Sequence, residues 1–338
     1  MSGIAALVHF NDVPVDPGLI RRMTDAMAHR GPDGIGHVIY PSGAMGQCLL
    51  RTTARKHGDD CPVEDVDAGM VVVLDGRIDN RAEVCRDLGL RVVARCEVSD
   101  AELILRSYQA WGTECPKRLI GEFVFLVWDR RAGRVFGARD AIGTRHFYYA
   151  RGDGWLAVAS EIKGILATGR VSRALNDSRI LDYLVPEFDR DDEVGTFYRD
   201  ILRLPAGHAF EATANGFRTW RYWDPRELPE LAFNSMAACA EALREQLQTA
   251  VACRLDGGLR LGAMLSGGLD SSSIVGIVRE RFRKELKEPL LTYSLVRMDR
   301  ENCKEWPHVQ AMTKGGWLIP TILTTDAPAC GFPRLLMD

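Results

Sequence analysis

Ser266, Gly267, Gly268, Leu269, Asp270, Ser271 and Ser272 follow one another without interruption, and no other stretch of this 338-residue chain is better suited to holding a phosphate. Two adjacent glycines remove the side chains that would keep the backbone away from an anion. Ser266, Ser271 and Ser272 offer hydroxyl donors, and a helix beginning behind them would add free N–H groups and the positive end of its dipole. Asp270 would repel a bare phosphate, so it implies a bridging Mg²⁺ held between its carboxylate and the phosphate oxygens. The pattern G-x-x-x-x-G-K-[ST] is absent, which argues against a P-loop nucleotide hydrolase. The competing bland reading is a Gly-Gly turn with Ser and Asp helix caps, because these residue types favour turns anyway.

The elements around this loop suit the first reading. Ser235–Leu255 reads as a long amphipathic helix, Leu259–Leu265 as an apolar strand and Asp270–Lys284 as a helix. Leu290–Val296 (strand), Glu305–Thr313 (helix) and Trp317–Thr324 (strand) continue the alternation, which implies a parallel sheet with βαβ crossovers. The first half of the chain has another style. Ile4–Phe10, Met70–Leu74, Glu122–Asp129, Arg134–Ala138, His146–Ala150 and Trp155–Ala159 read as strands. Helices are expected over Leu19–His29, Asp100–Trp111 (capped by Ser99 or Asp100) and Glu161–Thr168. That order predicts two stacked sheets flanked by helices. The turn-rich stretch from about Ser172 to Pro229 reads as a connection, so the expected division is 1–170, a connecting segment 171–229, and 230–338.

Lys and Arg number 43 against 46 Asp and Glu, a net charge of −3 that gives no electrostatic footprint for nucleic acid or a membrane surface. No run approaches the ~18 apolar residues of a membrane span. The short apolar run after Met1 has no basic region before it, which argues against a secretory signal and for a cytoplasmic protein. Nine cysteines fall singly, without a C-x-x-C pair, so neither a disulfide framework nor a zinc site is expected. His29 and His208 lack partners at ligand spacing and read as structural.

The order Ser-Gly-Gly-x-Asp-Ser resembles the pyrophosphate loop of ATP pyrophosphatases, which cleave ATP between the α and β phosphates to adenylate a substrate. Following a β-rich domain, it makes the chain resemble asparagine synthetases and their amidotransferase relatives. Ala28-His29-Arg30-Gly31-Pro32-Asp33, Asp75-Gly76-Arg77-Ile78-Asp79-Asn80 and Gly121-Glu122-Phe123-Val124-Phe125 carry that resemblance. So do Ala138–Gly143, Ser160–Lys163, Arg203–His208 and Tyr222-Trp223-Asp224. It implies a four-layer αββα sandwich of the N-terminal-nucleophile type, then a partial doubly wound parallel α/β adenylating domain. It further implies glutamine hydrolysis at the first site and attack of ammonia on an aspartyl adenylate at the second, with ATP and Mg²⁺. Leu265 and Leu295 would flank the adenine, Ser266–Ser272 would surround pyrophosphate, and Asp270 would lie near the metal.

The chain also departs from that family. The family nucleophile is a cysteine after the initiator Met, and here it is Ser2. A thiol is the better nucleophile near neutral pH, whereas a hydroxyl needs a dedicated base. The family's oxyanion-stabilising Asn is Asp75, which cannot donate a hydrogen bond as a carboxylate, and a neighbouring Glu is Arg77. Gln47, Cys48, Leu49 and Leu50 occupy the family's His-x-Arg-Leu segment, with Arg51 as a substitute in a shifted register. Gly76 and Asp100 remain for glutamine binding. The expectation is a vestigial glutaminase, with Ser2 merely filling the nucleophile position; the competing reading is that removal of Met1 exposes the Ser2 α-amine to serve as the base.

Relatives lacking the cysteine include β-lactam synthetases and lasso-peptide macrolactam cyclases, whose substrates carry their own amine; Arg297–Pro307 looks more like these. Glu301 and Glu305 fall where the family has acidic residues, and read equally as a solvated charge run. Three functional readings stand: an amide ligase acting on aspartate with glutamine or ammonia, an intramolecular ligase acting on a small peptide precursor or modified amino acid, and a non-catalytic remnant. Only three strands are available to the second sheet, and the family's later Gly-rich acidic loop and basic residue are absent. A fragment, a truncated product or completion by a second polypeptide is therefore expected, with a homodimer as another arrangement.

Overall fold

The structure is a computed structural model that describes residues 1–11, 13–52, 62–90, 98–185, 192–255, 260–286 and 288–324. It divides into two compact units, Met1–Glu230 and Leu231–Asp338. In chain order the first contains β1 (Gly3–His9), α1 (Pro17–Asp25), β2 (Ile35–Tyr40), β3 (Gly43–Cys48), β4 (Val63–Asp65) and β5 (Met70–Ile78). There follow α2 (Arg81–Asp87), α3 (Asp100–Trp111), β6 (Gly121–Asp129), β7 (Arg134–Arg139), β8 (Tyr148–Gly152), β9 (Trp155–Ala159), α4 (Ile162–Leu166) and α5 (Asp177–Leu184). The short β10 (Leu202–Arg203), β11 (His208–Thr213) and β12 (Gly216–Arg221) complete it.

Two six-stranded sheets, ordered β10-β8-β9-β1-β3-β2 and β12-β11-β7-β6-β5-β4, are antiparallel throughout. Side-chain alternation explains why their central strands are continuously apolar, since each has a hydrophobic layer on both faces. Ile4, Ala6 and Val8 of β1 join Val71, Val73, Val124, Leu126 and Trp128 in a core between the sheets. The alternate residues Ala5 and Leu7 meet Ile20 and Met23 of α1 and Ile165 of α4. On the other outer face, Val72, Phe125 and Val127 meet Leu103, Ile104 and Tyr108 of α3. The expected αββα layering follows from these three cores.

Local signals place the helices. Asp16 caps α1, accepting a 2.8 Å hydrogen bond from the Gly18 N–H, with Pro17 beginning the helix. Ser99 caps α3 through the Glu102 N–H, and Gly112, at φ 56°, ends it.

The connecting segment expected over 171–229 needs correction. β11 pairs with β7 and β12 with β11, while β10 pairs with β8, so this stretch supplies strands to both sheets. Its strands are short and lie between Pro- and Gly-containing turns, and that local signal hid long-range pairing. β2 and β3, an antiparallel pair joined at Tyr40–Gly43, also went unread.

The second unit contains α6 (Met236–Leu255), β13 (Gly262–Met264), α7 (Leu269–Ile277), β14 (Leu290–Val296), α8 (Trp306–Lys314) and β15 (Leu318–Thr324). Its three strands are parallel in the order β13-β14-β15, as the βαβ alternation implied. The buried core is small, built on Val251, Leu265, Val275, Val278, Leu290 and Val309. The amphipathic expectation for α6 is only partly met, because Val251 is its one buried residue and apolar Met236 and Leu243 are exposed. Leu259 and residues 325–338 lie outside the described residues.

Trp128, 2% exposed, spans the inter-sheet core and stacks edge-on against Tyr40. Trp128→Ala is expected to lower unfolding free energy by about 3–5 kcal/mol, read from the midpoint of a urea transition with unchanged slope.

Candidate active sites

The start of β1 and the end of β5 bring Ser2 beside Asp75. The Ser2 hydroxyl oxygen accepts a 3.0 Å hydrogen bond from the Leu50 N–H, and Asp75 accepts one from the Ser2 N–H. Arg30, in the helical turn Ala28–Arg30, donates to the Ser2 carbonyl at 3.2 Å and approaches Asp75 Oδ2 to 4.0 Å. Its Nε binds Glu161, which also receives His29 at 2.9 Å and Lys163 at 3.0 Å. Burial would push the Glu161 carboxyl up, but donation from Arg30 and Lys163 outweighs it and holds it at about 2. His29 is thus held on the Glu161 carboxylate, and His208 contacts the Ala206 carbonyl within its turn.

Asp75 is the unusual group. It is 2% exposed, and its Oδ2 has no hydrogen-bond partner among the described residues. Desolvation raises its carboxyl to about 6, overcoming the opposing charges of Arg145 and Arg30. A buried carboxyl of this kind presents an acceptor, when ionised, where an oxyanion would need donors. Beside it, Gly76 has a φ of 148°, and a Cβ there would lie 2.1 Å from the Glu122 carbonyl oxygen, so only glycine fits.

The other expected glutamine ligands are engaged within the chain. Asp100 accepts from the Ile78 N–H at 3.3 Å and is ion-paired with the Arg81 guanidinium. Arg77 donates to Asp79 at 2.8 Å. Gln47 exchanges hydrogen bonds with the Leu74 backbone, donating to its carbonyl at 2.8 Å and accepting from its N–H at 3.3 Å, so its amide ties β3 to β5. Arg51 keeps its backbone N–H on Asp33 at 2.6 Å. Arg30, Glu161 and Arg81 were not singled out from the sequence. Their conspicuous segments, His29-Arg30-Gly31-Pro32 and Ser160-Glu161, were the available signal for the first two.

In the second unit the Ser-Gly-Gly loop lies between β13 and α7. The Leu265 N–H donates to the Tyr293 carbonyl at 2.8 Å, and Ser294 Oγ donates to the Leu265 carbonyl at 2.6 Å. The Ser266 and Ser271 hydroxyls lie 3.1 Å apart, and the Gly268 N–H reaches Ser266 Oγ at 3.4 Å. Gly267 has a φ of 81°, and a Cβ on it would stand 2.8 Å from the Glu305 carbonyl oxygen. The first-turn N–H groups of α7 therefore begin beside a loop that only glycine can form there. Asp270 is exposed and has no ion-pair partner among the described residues, and Ser272 Oγ has no hydrogen-bond partner among them. One exposed carboxylate beside the first-turn N–H groups of α7 is a donor set that would suit Mg²⁺, which commonly takes one or two carboxylates and completes its shell with phosphate oxygens and water. Leu295 is half-exposed, whereas the Leu265 side chain is wholly buried in the small core. Glu301 is exposed, and Glu305 precedes α8.

Known protein families match both parts of this arrangement. A glutamine amidotransferase domain family matches residues 1–223, and an asparagine synthase family matches residues 242–315. The chain belongs to the asparagine synthetase family. This family member is 28% identical over 324 residues to asparagine synthetase (glutamine-hydrolyzing) 3 of Bacillus subtilis, covering 94% of the chain and 52% of that protein. It is 28% identical over 282 residues to asparagine synthetase (glutamine-hydrolyzing) 2 of Oryza sativa subsp. japonica, covering 82% and 42%. A protein named amidase chyE, from Penicillium rubens, is 29% identical over 272 residues, covering 78% and 38%. The chain spans about half the length, or less, of these curated relatives. Among the described residues of this asparagine synthetase-family chain, no helix is long and apolar enough to cross a membrane.

The Asp75 environment sets a pH signature. Its carboxyl, raised from 3.8 to about 6, binds more protons folded than unfolded between those values. Its stabilising share is complete below pH 3.8 and lost as pH rises through about 6, amounting to about 3 kcal/mol by pH 7. Asp75→Asn is expected to gain stability over the parent progressively from pH 4 to pH 7, measured by urea unfolding across that range. A difference independent of pH would contradict the assignment.

Proposed function

We propose that the chain carries the ATP half-site of an ATP-dependent amide ligase, which adenylates a carboxylate for attack by ammonia or an amine. The observation that carries this reading is the glycine-only loop at Gly267, which places backbone N–H groups, the Ser266 and Ser271 hydroxyls and the Asp270 carboxylate together at the start of α7. ATP is the substrate of this site, its phosphates lying along Ser266–Ser272. Mg²⁺ would be held by Asp270 and the phosphates, and when bound it neutralises charge on the departing pyrophosphate. The Ser266 and Ser271 hydroxyls and the α7 N–H groups bind and orient the phosphate chain. Leu295, exposed at the end of β14, offers an apolar surface for the base, while Leu265 supports the loop from the core. Aspartate is the carboxylate favoured by the family match.

The first unit is proposed to lack glutaminase activity. The nucleophile position holds Ser2, whose hydroxyl needs a dedicated base where a cysteine thiol would not. Asp75 adds an acceptor beside it, and Asp100, which would otherwise pair with the glutamine amine, is already neutralised by Arg81. The same features favour a second reading in which the attacking amine belongs to the substrate, as in intramolecular amide-forming relatives.

Pyrophosphate release with ATP, Mg²⁺ and aspartate tests the first proposal, and Asp270→Asn is expected to lower it by on the order of 100-fold. No release with aspartate but release with an amine-bearing carboxylate would transfer the assignment to the second reading. Release with no carboxylate tried would sink both. Glutamate formation from glutamine is expected to be negligible and equal in Ser2→Ala and parent; robust formation lost in Ser2→Ala would overturn the inactive-glutaminase proposal.

A further inference from the structure

Away from both sites, the first unit holds an open surface pocket of about 380 Å³ formed by β8, β9, the start of β10 and the chain after α4, with its arginines exposed at the rim. That volume lies in the range of about 300–1,000 Å³ usual for small-molecule pockets. Arg151, Arg170 and Arg199 line it. Most arginines of this unit near the candidate site are neutralised, such as Arg30 by Glu161, Arg81 by Asp100 and Arg145 by Glu122. By contrast, none of the three pocket arginines has a carboxylate within ion-pair distance among the described residues. Asp200 is the only acidic residue in the lining, leaving the pocket with two net positive charges.

These arginines are oriented by neutral contacts. Arg170 lies over the Trp155 ring at 5.8 Å from its centroid, and Arg151 lies over Phe217 at 5.0 Å. Arg199 Nη2 donates to the Leu175 carbonyl at 3.3 Å. Such contacts orient a guanidinium and leave its charge and most of its N–H donors available. Ser172 accepts from the Ala174 N–H, so its hydroxyl proton also remains for a ligand.

The rest of the lining is apolar or aromatic, including Trp155, Val171, Leu202 and the edge of buried Tyr149. An inorganic anion would leave that surface uncovered. We propose that this pocket binds a phosphate monoester with an aromatic body, of nucleoside monophosphate size, with its dianionic phosphate on the three arginines and its ring against Trp155. A doubly charged phosphate matches the net charge, and guanidinium forks suit its oxygens. Asp200 is placed to accept from a sugar hydroxyl.

The test is phenylglyoxal modification of the full chain, followed by peptide mass spectrometry, with AMP, adenosine and inorganic phosphate as separate protectants. AMP is expected to protect Arg151, Arg170 and Arg199 together, and adenosine none of them. Inorganic phosphate should need at least about tenfold higher concentration than AMP, because it forgoes burial of the ring. In Arg151→Ala Arg199→Ala the AMP concentration that half-protects Arg170 should rise at least about tenfold, since hydrogen bonds to charged groups are lost. Asp270→Asn, in the other unit, should leave protection unchanged. Absence of protection by AMP, equal protection by inorganic phosphate, or loss of protection in Asp270→Asn would each overturn the proposal.

Discussion

The two-sided burial of the central strands is the constraint on which the first unit depends. β1, β5 and β6 each carry one set of alternate residues into the inter-sheet core and the other set against a helix layer. A register slip of one residue would exchange the two sets and misfit both cores. Register in turn places Ser2 at the start of β1 and Asp75 near the end of β5, so the geometry of the candidate site is inherited from packing far from it. The Gln47 amide, bonded both ways to Leu74, reinforces the same alignment between the two sheets.

Electrostatics in this unit follows from that enclosure. A carboxylate held between sheets loses water, and Asp75 is raised by desolvation despite two nearby arginines. Glu161 lies close by but has three cationic or potentially cationic donors on it, and its carboxyl is driven the other way. The contrast lies in hydrogen bonding: Arg30 binds Glu161 directly and stands 4.0 Å from Asp75. In the second unit the controlling element is backbone rather than charge. Gly267 lies against the Glu305 carbonyl, so the loop shape depends on the α8 segment as well as on its own sequence.

Much of this organisation was legible in local patterns. Apolar runs marked β1, β5, β6 and β9, and strand-helix alternation marked the parallel sheet of the second unit. Capping residues Asp16 and Ser99 marked where helices begin. The unread strands, β2–β4 and β10–β12, are short, rich in glycine or bounded by turns, and β3, β10 and β11 pair with strands distant in the chain. The amphipathic reading of α6 met little burial because its apolar residues are spread around the helix and few elements pack against it.

By itself the sequence determined the Ser-Gly-Gly-Leu-Asp-Ser-Ser loop, the family resemblance, and the substitutions at Ser2 and Asp75, because these are matters of residue type and order. Only the tertiary structure decided that Asp100 is paired with Arg81, that Leu265 is a core side chain while Leu295 stays exposed, and that Arg151, Arg170 and Arg199 share a pocket with no carboxylate at ion-pair distance among the described residues. Charge compensation and desolvation depend on which groups meet across tens to hundreds of residues, and no local spacing encodes that meeting.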